Sequence, residues 1–356
     1  LGGWLTEDYS WRYVFYINLP IGVLALIGMS LFLPEARRRG EARLDWTGFI
    51  SLSIAIAALQ VLLDRGQELD WFGSREIIAE AVLAGSAFYV FLVHMFTARE
   101  PFLRPALFRD RNFSAGVLFV AIVGLTFYAS LALQPPYLQD LMNYPVITAG
   151  YVMGPRGIGT MGAMMIVGKL MGRTDTRLLL GFGLGLSAWS FYLMTGWTPD
   201  VSSWTVIWVG VIQGVGLGFL FTPLSVVSLA TLSPGIRPEG AGFYNLARNV
   251  GSSIGISIVG ALLARTTQIN HADISQYVTA VNRHFESPLI AQTLNPFSAA
   301  GRAALDALIT QQAQVIAYMD DYKLLMIATL AVIPLLIVFH GRTGASSDEH
   351  STVAEI

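Results

Sequence analysis

The segment from Ala149 to Gly168 is apolar over about 30 Å of helix at 1.5 Å per residue, enough to cross a bilayer, and it carries one arginine, Arg156. Few architectures accept that combination. In hydrocarbon every backbone polar group must be satisfied within the protein, which restricts spanning segments to helices and closed barrels. A cation well inside such a helix has to be paired or to face a polar interior. The segment therefore predicts a polytopic helical bundle that encloses polar groups.

The rest of the chain has the same rhythm. Nine stretches reach spanning length, at roughly 12–33, 46–63, 77–97, 113–135, 146–167, 178–195, 204–227, 241–264 and 323–340. Of the 356 residues 54% are hydrophobic and 13% charged, against about 25% charged in soluble domains. One soluble core cannot hide so much apolar surface; lipid removes the need. The chain has no cysteine, which excludes disulfides and thiolate metal sites, and its five histidines stand far apart without ligand spacing. It has no phosphate-binding glycine loop and no nucleophile–base set, so neither an enzyme, an ATP-driven engine nor a nucleic-acid partner is expected, and no cofactor.

The connections give an orientation. Thirteen of the 22 Lys and Arg fall on one side, in Arg37–Arg43, Arg99–Arg111, Lys169–Arg177, Arg237 and Arg342; seven fall on the other and two, Arg156 and Arg248, within spans. The positive-inside rule puts the richer side in the cytoplasm, with a cytoplasmic carboxyl terminus in a cell membrane. Residues 1–11 would then lie outside. Leu1 follows no basic region and short apolar core, so the start is not read as a signal peptide. An odd number of earlier spans would return the amino terminus to the cytoplasm. Residues 265–322 form the long outer segment, expected as two amphipathic helices broken at Ser287-Pro288 and Asn295-Pro296 and lying across the outer mouth. Residues 341–356 read as a disordered tail.

Two groups of residues stand out. Arg156 either lines a central cavity or snorkels to an interface, and the adjacent Gly154 and Pro155 predict a bend. Asn245, Arg248, Asn249 and Ser252 share one helix face by their spacing, which should look into the bundle rather than lipid; substrate contact, gating and helix joining all remain open for it. Gly251 and Gly255 make a small-xxx-small contact surface. Gln134 and Tyr137 flank Pro135-Pro136 at the end of the fourth span, as candidate outer cavity groups. Trp4, Trp11, Trp71, Trp197 and Trp204 read as belt anchors. None of the nine stretches shows a clear deep carboxylate.

Several motifs, in order, resemble one family. Gly2-Gly3-Trp4 and Ser10-Trp11-Arg12-Tyr13-Val14-Phe15-Tyr16-Ile17-Asn18-Leu19-Pro20 look like the fifth-to-sixth helix junction of the major facilitator superfamily. Asp45-Trp46-Thr47-Gly48, Leu63-Asp64-Arg65-Gly66, Pro155-Arg156-Gly157 and Asn245-Leu246-Ala247-Arg248-Asn249-Val250-Gly251 are similar to its fourteen-span drug:proton antiporter branch, of EmrB/QacA type. The resemblance implies an all-α transmembrane, partial major facilitator fold of about nine spans of fourteen. Residues 1–33 would be a remnant of the N-terminal bundle, 34–111 the extra central helix pair with its linkers, and 112–340 the C-terminal six-helix bundle. It further implies proton-coupled efflux of amphipathic or cationic drugs or toxins by alternating access, with the proton gradient as energy source and a periplasmic adaptor as a possible partner. The acids associated with coupling sit mainly in the half upstream of this segment. Arg156, Gln134, Tyr137, Asn245, Arg248 and Asn249 are its substrate or cavity candidates. Gly154, Pro155, Gly168, Arg173, Asp175, Gly251 and Gly255 are its gating or packing candidates. Gly168-Lys169-Leu170-Met171-Gly172-Arg173-Thr174-Asp175 resembles the superfamily's gating loop, but Gly172 stands where an aspartate is common, leaving Asp175 as the substitute. A narrow transporter of an anionic solute is the alternative that Arg156 motivates, and a non-transporting membrane scaffold is another.

Overall fold

The structure, a computed structural model, describes residues 2–32, 45–278 and 294–338. These residues are helical almost throughout: α1 (Gly2–Asp8), α2 (Tyr13–Tyr16), α3 (Asn18–Phe32), α4 (Trp46–Arg65), α5 (Arg75–Thr97), α6 (Arg111–Pro136), α7 (Val146–Met153), α8 (Pro155–Leu170), α9 (Thr176–Met194), α10 (Ser203–Ala230), α11 (Arg237–Ser275) and α12 (Ala299–Ala331). The starts of several are set by polar caps. Asp45, Asp110, Asp175, Ser202 and Ser298 each accept a backbone N–H of the first turn, from Gly48, Phe113, Arg177, Thr205 and Gly301.

Among the described residues seven helical segments, not nine, are long and apolar enough to cross a membrane. The two shortfalls have different causes. The expected span 146–167 is divided, because Pro155 has no N–H to continue the ladder and α8 begins there; Gly154 keeps helical angles, so α7 and α8 follow one another directly. The expected span 323–340 is displaced. Its helix, α12, starts at Ala299, ends at Ala331 and carries Asp320, Asp321 and Lys323, while Ile333–Val338 form a 3-10 turn.

The outer segment also differs from the expectation. Instead of two helices lying across the mouth, α11 continues unbroken to Ser275 and α12 begins at Ala299, so the amphipathic stretches prolong the spans. They pack against each other, and His271 meets Asp306 at 3.0 Å. Ser287-Pro288, the linker arginines 37–43 and the tail 341–356 lie outside the described residues. Pro135 and Pro136 do not end their helix either. α6 passes through both and continues as one π turn, Tyr137–Leu141, closed by the Met142 amide donating to the Tyr137 carbonyl.

Helices α6 to α12 form the bundle, with α6 against α11 the most extensive pairing and α8 against α10 next. Both close at glycine. A Cβ on Gly251 would sit 2.1 Å from the Ala121 carbonyl oxygen, and one on Gly255 2.2 Å from that of Leu125. Across the other pair, a Cβ on Gly214 would sit 2.1 Å from the Arg156 carbonyl oxygen. Lipid tails are as apolar as leucine, so this close approach of backbones is what holds spans together.

Helices α4 and α5 form a hairpin tied at both ends. Arg65 pairs with Glu76 at one, and Asp45 with His94 at 2.8 Å at the other. The hairpin touches the bundle through Ser253 and Gln60, and through the Ser257 hydroxyl, which donates to the Leu63 carbonyl at 3.0 Å. Between these contacts and the arginine-rich end lies an apolar cleft of about 610 Å³, with Leu52, Leu59, Ala84, Phe88, Phe243 and Ile254 on its walls. Helix α3 is exposed along its length.

Two outcomes follow from this packing. Gly251→Ala should destabilise the detergent-solubilised protein by about 1–3 kcal/mol through overpacking, read as a lower Tm. Gly260→Ala, with nothing within 4 Å of the new Cβ, should not. At the other site, burial alone would raise the Asp45 carboxyl, but hydrogen bonds from the Gly48 and Phe102 amides and the neighbouring His94 outweigh it and hold the group below its ordinary value. A depressed folded value means that its stabilisation is present above the carboxylate range and is lost as pH falls through it. The protection factors of amides 46–49 should therefore fall on acidification in the native protein, and Asp45→Ala, losing a cap worth about 1 kcal/mol, should show low protection at every pH.

Candidate functional site

The bundle interior holds a continuous polar chain. Arg156, on the second residue of α8, is only 6% exposed although it lies among apolar helices. Its guanidinium carbon stands 4.4 Å above the Phe127 ring centroid, a cation–π geometry. Its Nη1 donates to Gln134 Oε1 at 3.2 Å; Gln134 Nε2 donates to Gln213 Oε1 at 3.4 Å; Gln213 Nε2 donates to Ser130 Oγ at 2.9 Å. Donor meets acceptor at each step, so α6, α8 and α10 are joined by one directed network. Two of the guanidinium nitrogens, Nε and Nη2, have no partner. Among the described residues no carboxylate pairs with this arginine. An uncompensated buried cation is costly, and the amide and ring contacts meet only part of that cost.

A second cluster lies at the end of the bundle away from the arginine-rich connections. Tyr137 packs on Trp197 and Tyr318, with ring centroids 5.6 and 5.2 Å apart, and Trp197 on Tyr322 at 5.9 Å. Tyr137 Oη, Tyr322 Oη and Trp197 Nε1 are buried without a hydrogen-bond partner, as is Asp321 Oδ2. Gln134 Nε2 also lies 4.0 Å from Met194 Sδ, and Met194 packs in the same core as Tyr137, Trp197 and Tyr322, which links the two clusters.

Several residues singled out from sequence meet here. Arg156, Gln134 and Tyr137 are all buried, which excludes the snorkelling geometry for Arg156. Trp197, read as a belt anchor, is a core residue at 2% exposure, whereas Trp11 and Trp204 are exposed. The Asn245 face stays apart. Asn245 and Asn249 are exposed rather than directed into this bundle, Asn245 donates to its own helix at the Ala241 carbonyl, and Arg248 lies over Phe221 at 5.8 Å. Gly251 and Gly255 pack as the spacing predicts. Gly154 and Gly168 are exposed, and a Cβ on Gly168 would meet nothing within 4 Å. After α8, Gly172 takes a left-handed φ of +88°, which a side chain would strain, and Asp175 caps α9 while Arg173 is exposed.

Sequence reasoning missed Gln213, Ser130 and Asp321. Gln213 carried a usable signal, as an amide at i+3 from Gly210 in an otherwise apolar span. Among the described residues no group of His, Asp and Glu could hold a metal ion.

A family model described as Major Facilitator Superfamily matches residues 1–265. The chain belongs to that superfamily. Individual transporters agree. This major facilitator is 32% identical over 285 residues to the multidrug export protein EmrB of Escherichia coli K12, covering 79% of its own length and 56% of EmrB. It is 28% identical over 340 residues to the fatty acid resistance protein FarB of Neisseria gonorrhoeae, covering 94% and 67%. A multidrug resistance protein B homologue of Mycobacterium tuberculosis H37Rv is also 28% identical, with 85% and 54% covered. The chain thus spans a little over half the length of EmrB. Against a crystal structure of a bacterial homologue of the lysosomal transporter Spinster, the TM-score is 0.47 at 16% identity, with 82% of this chain and 69% of that one covered. That likeness is too distant to bear on side-chain placement.

Because Arg156 is a buried, incompletely satisfied charge, Arg156→Met should leave the Tm unchanged or raise it. Gln134→Ala, which removes the arginine's amide acceptor, should lower stability by about 1–3 kcal/mol in denaturant titrations.

Proposed function

We propose that the full-length protein is a proton-coupled exporter of amphipathic or cationic drugs or toxins, working by alternating access in the cell membrane with its carboxyl terminus in the cytoplasm. The observation that carries this reading is the similarity to proteins named for multidrug export, over 79% of the chain for EmrB. In this reading residues 1–33 belong to the N-terminal bundle, 34–111 form the extra pair and 112–340 the C-terminal bundle. A periplasmic adaptor would dock at the outer end.

The geometry supports separate roles for the two polar groups. Arg156 with Gln134, Gln213 and Ser130 forms a fixed polar core whose two free guanidinium nitrogens await a partner in another conformation. Asn245 and Asn249 are exposed on a membrane-spanning helix, where lipid offers no hydrogen bond, so a wet cavity shared with the other half of the carrier is the environment that suits them. The apolar cleft beside Phe88 and Phe243 offers room for hydrophobic cargo without directional contacts. Pro155 leaves a missing ladder bond at which α7 can bend relative to α8 during the cycle, and the Gly172 turn with the Asp175 cap joins α8 to α9.

The second reading, a transporter for an anionic solute, rests on the same two free nitrogens of Arg156. Reconstituting the full-length protein in liposomes with an imposed pH gradient separates them. Gradient-driven movement of ethidium, abolished by a protonophore and lowered roughly tenfold in Arg156→Gln, a loss equal to about 1.4 kcal/mol of barrier, is expected. Movement of oleate but not ethidium would replace the cationic reading with the anionic one.

A further inference from the structure

Asp321 is the buried titratable group that the reading above leaves unused. It is 3% exposed, on the α12 turn that also carries Tyr318 and Tyr322. The charged and titratable groups around it do not neutralise it. On its own helix Asp320 is taken by Lys323 at 2.9 Å, and both are partly exposed. The π turn after α6 contributes Tyr137, and Asp140 beyond it is another acid. Met194 and Trp197 from α9 and the turn after it, and Val259 and Leu263 from α11, pack in the same apolar core as Tyr318 and Tyr322. Among the described residues Arg156 on α8 makes no ion pair with Asp321, and Asp321 Oδ2 has no hydrogen-bond partner.

A carboxylate withdrawn from water with neither a cation nor a donor is unstable as an anion, and it relieves that by binding a proton. The surrounding rings decide what else fits. Tyr137, Tyr322, Leu138 and Met194 are all fully buried, so the site as folded has no room for an organic cation. A proton needs no such room.

We propose that Asp321 is a proton-binding site of the C-terminal bundle, occupied in the conformation seen and opened to water in another. In the step itself, hydronium from bulk water transfers its proton to the carboxylate, leaving a neutral acid and water. The reverse transfer to water occurs when the site is wetted and water can hydrate the ionised carboxylate. Proton coupling as proposed above gives the site its use, but proton binding itself does not require that any drug be carried.

Infrared spectroscopy of the full-length protein in liposomes, without substrate, tests this. At neutral pH the wild type should show the carbonyl stretch of a protonated carboxylic acid that is missing from Asp321→Asn and kept in Asp320→Asn. Asp321→Glu, which keeps an acid but moves it by one methylene, should shift that band and serves if Asp321→Asn fails to fold. A band identical in wild type, Asp321→Asn and Asp321→Glu overturns the proposal, even if ethidium transport proves proton-driven. Conversely, the expected band in a protein that moves no ethidium leaves Asp321 a proton site and removes only the efflux reading.

Discussion

Backbone against backbone at glycine is the contact on which this bundle depends. Where Gly251 meets Ala121, and Gly214 meets the Arg156 carbonyl, there is no space for a side chain or for water. Lipid provides no hydrophobic drive to bring spans together, so the gain comes from dispersion and from backbone approach that only small residues allow. The dryness that results has a second effect. Any polar group carried inward on α6, α8 or α10 must find its partner inside, and Arg156, Gln134, Gln213 and Ser130 do so in sequence.

That network is incompletely satisfied, and the incompleteness is informative. A purely structural polar core would pair each of its donors. Here two guanidinium nitrogens, three aromatic N–H or O–H groups and one carboxylate oxygen are buried and idle. They occupy neighbouring clusters, joined where Gln134 meets Met194. A single static state pays for such groups without return, whereas a carrier that alternates between packings can satisfy in one what it strands in the other.

Legibility in the sequence followed the physics of each feature. The spans and the Gly251/Gly255 surface were readable because hydropathy and three-four spacing are local. Arg156 was readable because a cation among apolar residues stands out, and Gln134 and Tyr137 because they adjoin a double proline. Asp321 was hidden by the same hydropathy rule. With Asp320 and Lys323 beside it, the stretch looked like an outer loop, and the expected span began at residue 323. Only the register of α12 against α6 and α9 turns that one acid inward while Asp320 and Lys323 face out. Trp197 was misread for a similar reason: position relative to a span does not tell whether an indole meets lipid or Tyr137. The exposed Asn245 and Asn249 were legible as a polar face, but not as one turned away from this bundle.

The central claim is that this bundle has a dry polar core at Ser130 and Gln213 and a separate wet polar face at Asn245 and Asn249. The chain has no cysteine, so single cysteines report without a background from it. Labelling of Asn249→Cys and Ser130→Cys in the full-length protein in native membranes, with a small water-soluble maleimide, is the most direct measurement. The account predicts rapid modification of Asn249→Cys and protection of Ser130→Cys. Equal labelling of both, or protection of Asn249→Cys with Ser130→Cys modified, would contradict it.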